Sequence, residues 1–224
     1  MKKFLTLIAF AVFSLTTFAQ KDVTKFLGIP VDGTKAEMIQ KLKEKGFKPS
    51  EYDKDVLEGK FNGYDVQLFI GTNGNKVYRI MVSDANSINE SSIRIRFNEL
   101  CRQFNKNDKY SSLEDFTIPD DEDVSYQMSV KNKRYQASFY QRPEKSEEEL
   151  FNEIIPIVKE KYGELLNSQD EEVKKEIQMY VVDYMFELYA KKTVWFMISE
   201  GRYGDYYINM YYDNGYNMAD GEDL

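Results

Sequence analysis

Apolar and polar residues alternate with a period of two in several short segments, a pattern typical of strands with one buried face. Asn62-Gly63 and Asn73-Gly74 separate the first of these segments. Both dipeptides favour two-residue hairpin turns, because their residues readily adopt a positive φ. The chain therefore predicts a three-stranded meander followed by two hairpins. The predicted strands are residues 55–61, 65–71 and 76–83, then 124–131 and 134–141 around Asn132-Lys133, then 192–199 and 205–212.

Between these segments, apolar residues recur at helical spacing, which predicts helices with one apolar face. Each predicted helix begins at a Ser or Thr followed three residues later by Glu. In such a capping box the hydroxyl accepts from the backbone N–H of the third residue while the Glu side chain reaches back. The pairs are Thr34 with Glu37, Ser87 with Glu90, Ser146 with Glu149, and Ser168 with Glu171.

One sequence unit recurs along the chain. Residues 58–69 and 200–211 share the pattern Glu-Gly-basic-aromatic-x-x-Tyr-x-apolar-polar-apolar-aromatic, and residues 135–140 repeat its second part. The tyrosines that mark the unit are evenly spaced: Tyr64, Tyr135 and Tyr206. Self-similarity at a fixed period indicates a repeated supersecondary unit.

These patterns together predict an α+β fold of repeated helix-then-β-hairpin units. Their strands would form one antiparallel sheet with helices packed on one face, and the other face would be open to water. The units would be residues 21–83, 87–141 and 146–212. Two lobes, 20–115 and 116–224, are the alternative to a single domain, because Pro119 and four acidic residues interrupt the pattern near that boundary.

The N-terminus has the three parts of a secretory signal peptide: Lys2-Lys3, an apolar run over residues 4–13, and small residues at Thr17 and Ala19. We therefore expect residues 1–19 to be removed, leaving residues 20–224 in the periplasm or outside the cell. The rival interpretation, a permanent membrane anchor, needs about 20 apolar residues, and this run is shorter. No later segment is apolar enough to span, so no membrane span is expected after cleavage.

The charge of the chain restricts its partners. The net charge is −8, and signal cleavage would make it more negative by removing two lysines. An acidic surface repels phosphates and anionic lipids, so we expect no nucleic acid partner.

The chain contains no histidine. This excludes Ser-His-Asp triads, Cys-His pairs and His-ligated zinc. Glycine-rich phosphate loops and the Gly-x-Ser-x-Gly nucleophile motif are also missing from the sequence. The lone Cys101 falls in an apolar helical stripe and is expected in the core. The sequence therefore predicts no cofactor, no metal site and no catalytic residue. The acidic runs at 120–123 and near the C-terminus lack EF-hand spacing and are interpreted as solvated loops.

The last hairpin is rich in aromatic residues. By alternation, Tyr206, Ile208, Met210 and Tyr212 face the core. Trp195, Tyr207 and Tyr211 then lie on the opposite face and form a candidate platform for a ligand or partner, since Tyr and Trp are favoured in protein interfaces and stack on sugars. The alternatives are that helices cover both faces, or that these rings only stabilise the sheet.

The Phe18-Ala19-Gln20 signal ending and the Tyr-Tyr-Asp-Asn strand end at 211–214 resemble small exported proteins of gut Gram-negative bacteria. That group has no assigned activity, so the resemblance implies export and no residue roles. The helix-then-hairpin order is similar to exported modules of the β-lactamase-inhibitor-protein type, which bind other proteins through a sheet face. Fold alone does not establish function.

We expect a non-catalytic extracytoplasmic binding module whose partner is a protein or polymer of the cell envelope. Two alternatives stay open. One is a carboxylate-dependent hydrolase acting on a glycan, which would need two carboxylates in a cleft. The other is a small-ligand carrier that holds its ligand between helices and sheet.

Overall fold

The computed structural model describes residues 21–219 and residue 221, so the predicted signal peptide lies outside the described residues. The strands are β1 (Lys25–Phe26), β2 (Ile29–Pro30), β3 (Lys48–Pro49), β4 (Leu57–Phe61), β5 (Tyr64–Asn73), β6 (Lys76–Asp84), β7 (Tyr110–Ser111), β8 (Gln136–Gln141), β9 (Thr193–Glu200) and β10 (Tyr206–Asp213). The helices are α1 (Lys35–Glu44), α2 (Glu90–Lys106), α3 (Val124–Ser129), α4 (Glu147–Tyr162) and α5 (Glu171–Ala190).

Eight strands form one antiparallel sheet in the order β3-β4-β5-β6-β10-β9-β8-β7. The predicted α+β class and antiparallel sheet are confirmed. Strand β6 pairs with β10, so early and late parts of the chain meet at the centre of the sheet. The short hairpin of β1 and β2 stands apart from this sheet.

The β4–β5 turn is the one that the sequence predicts. Asn62 and Gly63 have φ values of 50° and 84°, and Phe61 pairs with Tyr64. The β5–β6 turn lies one residue later than predicted. Gly74 and Asn75 are its central residues, with φ values of 51° and 64°. A register shift between Gly71 and Thr72 leaves Tyr78 of β6 as an extra, unpaired residue next to this turn.

The core lies between one face of the sheet and helices α1 and α2. Met38 and Leu42 of α1 are fully buried, and Phe97 of α2 packs edge-on against Phe196 of β9 at 5.1 Å between ring centroids. Cys101 is buried in the same cluster, as the apolar stripe predicts. Residues of both predicted lobes contribute to this core.

The predicted strand over residues 124–131 is wrong, because this segment forms helix α3. Asp123 caps the helix by accepting a hydrogen bond from the backbone N–H of Tyr126 at 2.7 Å. Glu90 of α2 accepts from the backbone N–H of Val124 at 2.8 Å and from the Ser125 hydroxyl at 2.9 Å. These contacts satisfy the first turn, and they outweigh the alternating pattern of the segment.

Two of the four predicted capping boxes are present, at Thr34 with Glu37 and at Ser146 with Glu149. The other two helices begin later than predicted. Asn89 caps α2, because the Glu90 side chain is occupied by α3, and Asp170 caps α5. A side-chain oxygen nearer the first helical residue thus replaces the predicted hydroxyl in both cases.

Helices α4 and α5 pack against each other around a small cluster of their own, and the described part of α5 has no buried residue. Phe186 of α5 contacts Tyr140 of β8 at 6.0 Å between ring centroids. Tyr140 points away from the core, so the predicted packing of helices on one face is not confirmed. The repeated helix-hairpin units are not confirmed either, because α3 replaces one of their strands. Within residues 21–219, no helix is both long and apolar enough to cross a membrane.

Candidate functional site

The sheet face opposite α1 and α2 is the candidate site, and we call it the second face. Its side chains are mostly half-buried by one another. Helix α5 touches this face at β8 through Phe186. The residues of the second face are Glu58, Lys60, Asp65, Gln67, Phe69, Gly71, Tyr78, Arg79, Met81, Ser83, Gln136, Ser138, Tyr140, Thr193, Trp195, Met197, Ser199, Tyr207, Asn209, Tyr211 and Asp213.

The structure brings together two of the three predicted site residues. Trp195 and Tyr211 are direct cross-strand partners, and their rings stack 4.0 Å apart at an angle of 15°. Tyr207 lies on the same face but four positions along β10, opposite Ser199. Four residues of a strand span about 13 Å, so Tyr207 stands away from the stack. Burial raises the pKa of the Tyr211 hydroxyl.

A charged pair that the sequence analysis did not identify lies beside this stack. Arg79 donates from Nε and Nη2 to the two carboxylate oxygens of Asp213 at 2.6 and 2.8 Å, and the Trp195 indole N–H donates to the same carboxylate at 2.8 Å. The guanidinium carbon lies 4.9 Å from the centre of the Tyr211 ring. The hydrogen bonds to Asp213 raise the pKa of Arg79. The pair is therefore a neutral, firmly oriented element of the face.

The tail was expected to be a solvated acidic loop, and this is wrong for Asp213 and Asn214, which are both buried. Asp213 accepts hydrogen bonds from Arg79 and Trp195 there. Asn214 donates from its side chain to the carbonyl of Val31 at 2.8 Å. The remaining acidic residues of the tail lie outside the described residues.

The acidic run at 120–123 takes part in local structure. Glu122 accepts hydrogen bonds from Lys133 and Tyr135, and both bonds, that from Lys133 first, lower the pKa of the carboxyl. Asp123 caps α3. Among the described residues, no cluster of three or more Cys, Asp or Glu side chains is arranged to hold a metal ion.

Near the centre of the second face, Asn209 has an unusual environment. Its side-chain nitrogen donates to the Ser199 hydroxyl at 2.9 Å. Its side-chain oxygen is buried and has no hydrogen-bond partner among the described residues. Leaving such an acceptor unpaired destabilises a fold by about 1–3 kcal/mol.

Helix α5 extends the second face with an apolar stripe. Met179 and Val182 are 57% and 65% exposed, and Phe186, one turn on, joins them to Tyr140 of the sheet. The opposite side of α5, including Ile177 and Val181, packs on α4. Both stripes can be recognised in the sequence, because this part of α5 is apolar on two sides.

No family model, no curated protein and no solved structure matches the chain, so its function is argued from its own geometry.

Proposed function

We propose that this chain is a non-catalytic extracytoplasmic binding module that docks a protein partner on its second face and on the adjoining stripe of α5. The observation that carries the proposal is the scarcity of charge on this surface. On the strands β6, β8, β9 and β10 its charged residues are Arg79 and Asp213, which neutralise each other, whereas 30% of the whole chain is Asp, Glu, Lys or Arg. The other charged side chains of this face, Glu58, Lys60 and Asp65, lie at its β4 edge. Extracytoplasmic placement rests on the predicted signal peptide.

The composition of the surface supports a protein partner. The centres of protein interfaces are depleted in charge and enriched in aromatic residues, Met and Arg. The second face offers this mixture in Phe69, Met81, Met197, Trp195 and Tyr211. Short polar side chains between them provide donors and acceptors.

The exposed side of α5 also supports a protein partner. From Ile177 to Ala190, α5 is apolar apart from Gln178, Asp183 and Glu187, yet Met179, Val182 and Phe186 are exposed. Exposed apolar patches of this kind mark interaction sites. The stripe continues the second face through Tyr140, so one partner can cover both.

A glycan partner is less well supported by the ring geometry. Sugars stack on open aromatic faces, whereas Trp195 and Tyr211 cover one face of each other. Hydrolysis of a glycan needs two carboxylates. The acidic residue beside the Trp195–Tyr211 stack is Asp213, and it is already bound to Arg79 and Trp195. Glu58 and Asp65 lie at the β4 edge of the face, away from the rings.

The test compares variants that place a charge on the proposed surface. Mature chain, residues 20–224, is immobilised, and proteins retained from an envelope extract of its own cells are quantified by mass spectrometry. Val182→Glu and Met179→Glu introduce a charge at exposed positions and should leave the fold intact, which circular dichroism checks. Tyr52→Glu and Ile95→Glu are matched controls, because both residues are exposed elsewhere in the structure.

We expect one or more proteins to be retained by the wild type and both controls and lost from the two α5 variants. Hydrogen exchange of the complex with the retained protein should then show slowed amides in β9, β10 and α5. Equal retention by α5 and control variants contradicts the proposal, as does protection confined to another face. Self-association that both α5 variants abolish would identify the partner as a second copy of the chain.

A further inference from the structure

A cleft of about 980 Å³ opens on the other side of the sheet from the second face. It lies between α2, the β1–β2 hairpin and the ends of β7, β8 and β10. Met210 and Tyr212 of β10 line it with the side chains that point toward the core. Its volume is at the upper end of the range of about 300–1,000 Å³ for small-molecule sites.

The inner side of the cleft is formed by buried core residues, Leu100 and Phe104 of α2 and Met210 of β10. The apolar side chains that reach its surface are Leu27, Phe61 and Tyr110, which are exposed or half-buried. One wall is held by Gln141, which accepts from the backbone N–H of Lys25 and donates to its carbonyl, both at 2.7 Å. Gln141 also donates to the Tyr110 hydroxyl at 3.2 Å, which places a polar group at the base of the β7–β8 side.

The mouth of the cleft is basic although the chain as a whole is acidic. Its charged lining residues are Lys25, Lys60, Lys109, Arg142 and Lys192 against Asp108 and Glu144. Three of the cations are already paired: Lys25 with Glu144 at 2.5 Å, Lys192 with Asp22 at 2.5 Å, and Lys60 with Asp65 at 3.5 Å.

Lys109 and Arg142 differ from these cations. Neither side chain forms an ion pair with any residue that the structure describes. Lys109 immediately precedes β7, and Arg142 immediately follows β8. Their backbones are joined by a hydrogen bond of 2.8 Å from the Arg142 N–H to the Lys109 carbonyl. Lys109 and Arg142 thus line the mouth without an ion-pair partner among the described residues, and Asp108 is the acidic lining residue nearest to them in the chain.

We propose that this cleft binds a small organic anion with an apolar body. The anionic group lies at Lys109 and Arg142, and the apolar body lies against Leu27, Phe61 and Tyr110. The charge of the mouth selects the anionic group, and the wall favours a hydrocarbon or aromatic body. The site is separate from the protein-docking surface, because the two lie on opposite faces of the sheet.

The test uses two related dyes and measures their fluorescence on titration. 8-Anilinonaphthalene-1-sulfonate carries the anionic group, and N-phenyl-1-naphthylamine is its uncharged counterpart. Displacement of the bound sulfonate dye by decanoate and by decan-1-ol then compares two ligands of equal chain length that differ in charge.

Three variants locate the binding. Lys109→Gln with Arg142→Gln removes the cations, and Arg102→Gln with Lys106→Gln is the matched control, since both of those residues are exposed on α2 outside the cleft. Gln103→Trp places a large ring in the cleft mouth, where Gln103 accepts from Asn62 at 2.7 Å.

We expect the sulfonate dye to bind at one saturable site, with a Kd about tenfold or more higher in the Lys109/Arg142 variant and unchanged in the control. The uncharged dye should bind the Lys109/Arg142 variant and the control variant with equal Kd. Decanoate should displace the sulfonate dye better than decan-1-ol does. The Gln103→Trp variant should bind neither dye. Equal Kd values in the two double variants, binding that survives Gln103→Trp, or no saturable site at all would overturn the proposal. Val182→Glu should not affect the Kd, so this result is independent of the docking surface.

Discussion

The pair of Arg79 and Asp213 on the second face should respond unequally to the removal of its two members. The Asp213 side chain is 6% exposed and that of Arg79 is 26% exposed. In Arg79→Met, a nearly buried carboxylate keeps only the Trp195 indole as a side-chain donor, so we expect a loss of about 3–5 kcal/mol in the free energy of unfolding. In Asp213→Asn, the guanidinium can turn toward water, and the loss should be about 1–3 kcal/mol.

A second pair in the same protein provides the comparison. Arg96 of α2 donates to both oxygens of Asp84 at 2.7 and 2.6 Å, and these side chains are 5% and 6% exposed. The Tyr64 ring lies 3.3 Å from the Arg96 guanidinium carbon and shields it from water. Since neither charge can reach solvent, Arg96→Met and Asp84→Asn should each lower the free energy of unfolding by about 3–5 kcal/mol.

The measurement is urea unfolding of mature chain, followed by far-ultraviolet circular dichroism so that changes near Trp195 do not bias the signal. Within each pair, the free energies of unfolding of the two single variants are compared with each other. Equal losses for Arg79→Met and Asp213→Asn would refute the argument from exposure, and so would a clear difference within the Arg96 and Asp84 pair. The double variant Arg79→Met/Asp213→Leu should be more stable than Arg79→Met alone, because no buried charge remains.

Three further outcomes are expected. Asn209→Leu should raise the free energy of unfolding in urea by about 1 kcal/mol, because it removes a buried acceptor without a partner among the described residues; a decrease would show that this oxygen is satisfied. Burial raises the pKa of Cys101 to about 12, so iodoacetamide at pH 8 should alkylate the urea-unfolded chain and not the native one. Burial also raises the pKa of Tyr212 well above that of an exposed tyrosine. The contribution of Tyr212 to the free energy of unfolding should therefore be constant below about pH 10 and decrease above it, because only the unfolded chain then releases this proton. Tyr212→Phe should make the decrease of the free energy of unfolding with pH less steep.

Local signals in the sequence were enough to predict most of the sheet. Asn62-Gly63 gives the first turn directly, because both residues adopt positive φ there. The alternation in β9 and β10 correctly assigns Phe196 and Met210 to the core and Trp195 and Tyr211 to the other face. These features depend on neighbours along the chain or across one hairpin.

Helix α3 shows where local signals failed. Residues 124–131 alternate as a strand would, but Val124 and Met128 are the residues that pack on the core, at helical spacing. The Glu90 carboxylate that completes the first turn comes from a distant part of the chain. No pattern within the segment reveals that contact.

The candidate sites were harder to predict for a related reason. Arg79 and Asp213 meet because β6 lies beside β10, and sequence patterns do not give strand order. Lys109 and Arg142 come together only through the pairing of β7 with β8. A contact within one hairpin, such as that of Trp195 with Tyr211, was predictable, whereas contacts between distant strands were not.

The three evenly spaced tyrosines of the recurring sequence unit occupy similar positions along their strands. Tyr64 begins β5, Tyr206 begins β10, and Tyr135 immediately precedes β8. Their environments differ, because Tyr64 is exposed over Arg96 while Tyr135 and Tyr206 are buried. Similar residues at similar strand positions therefore serve different contacts once the strands take different places in the sheet.

Strand β10 contributes to both proposed sites through its alternation. Met210 and Tyr212 line the cleft, while Tyr211 and Asp213 belong to the second face. A substitution at one of these positions therefore alters one site directly and reaches the other only through the backbone of β10. For this reason the variants that separate the two proposals lie away from β10, on α5 for the docking surface and at Lys109 and Arg142 for the cleft.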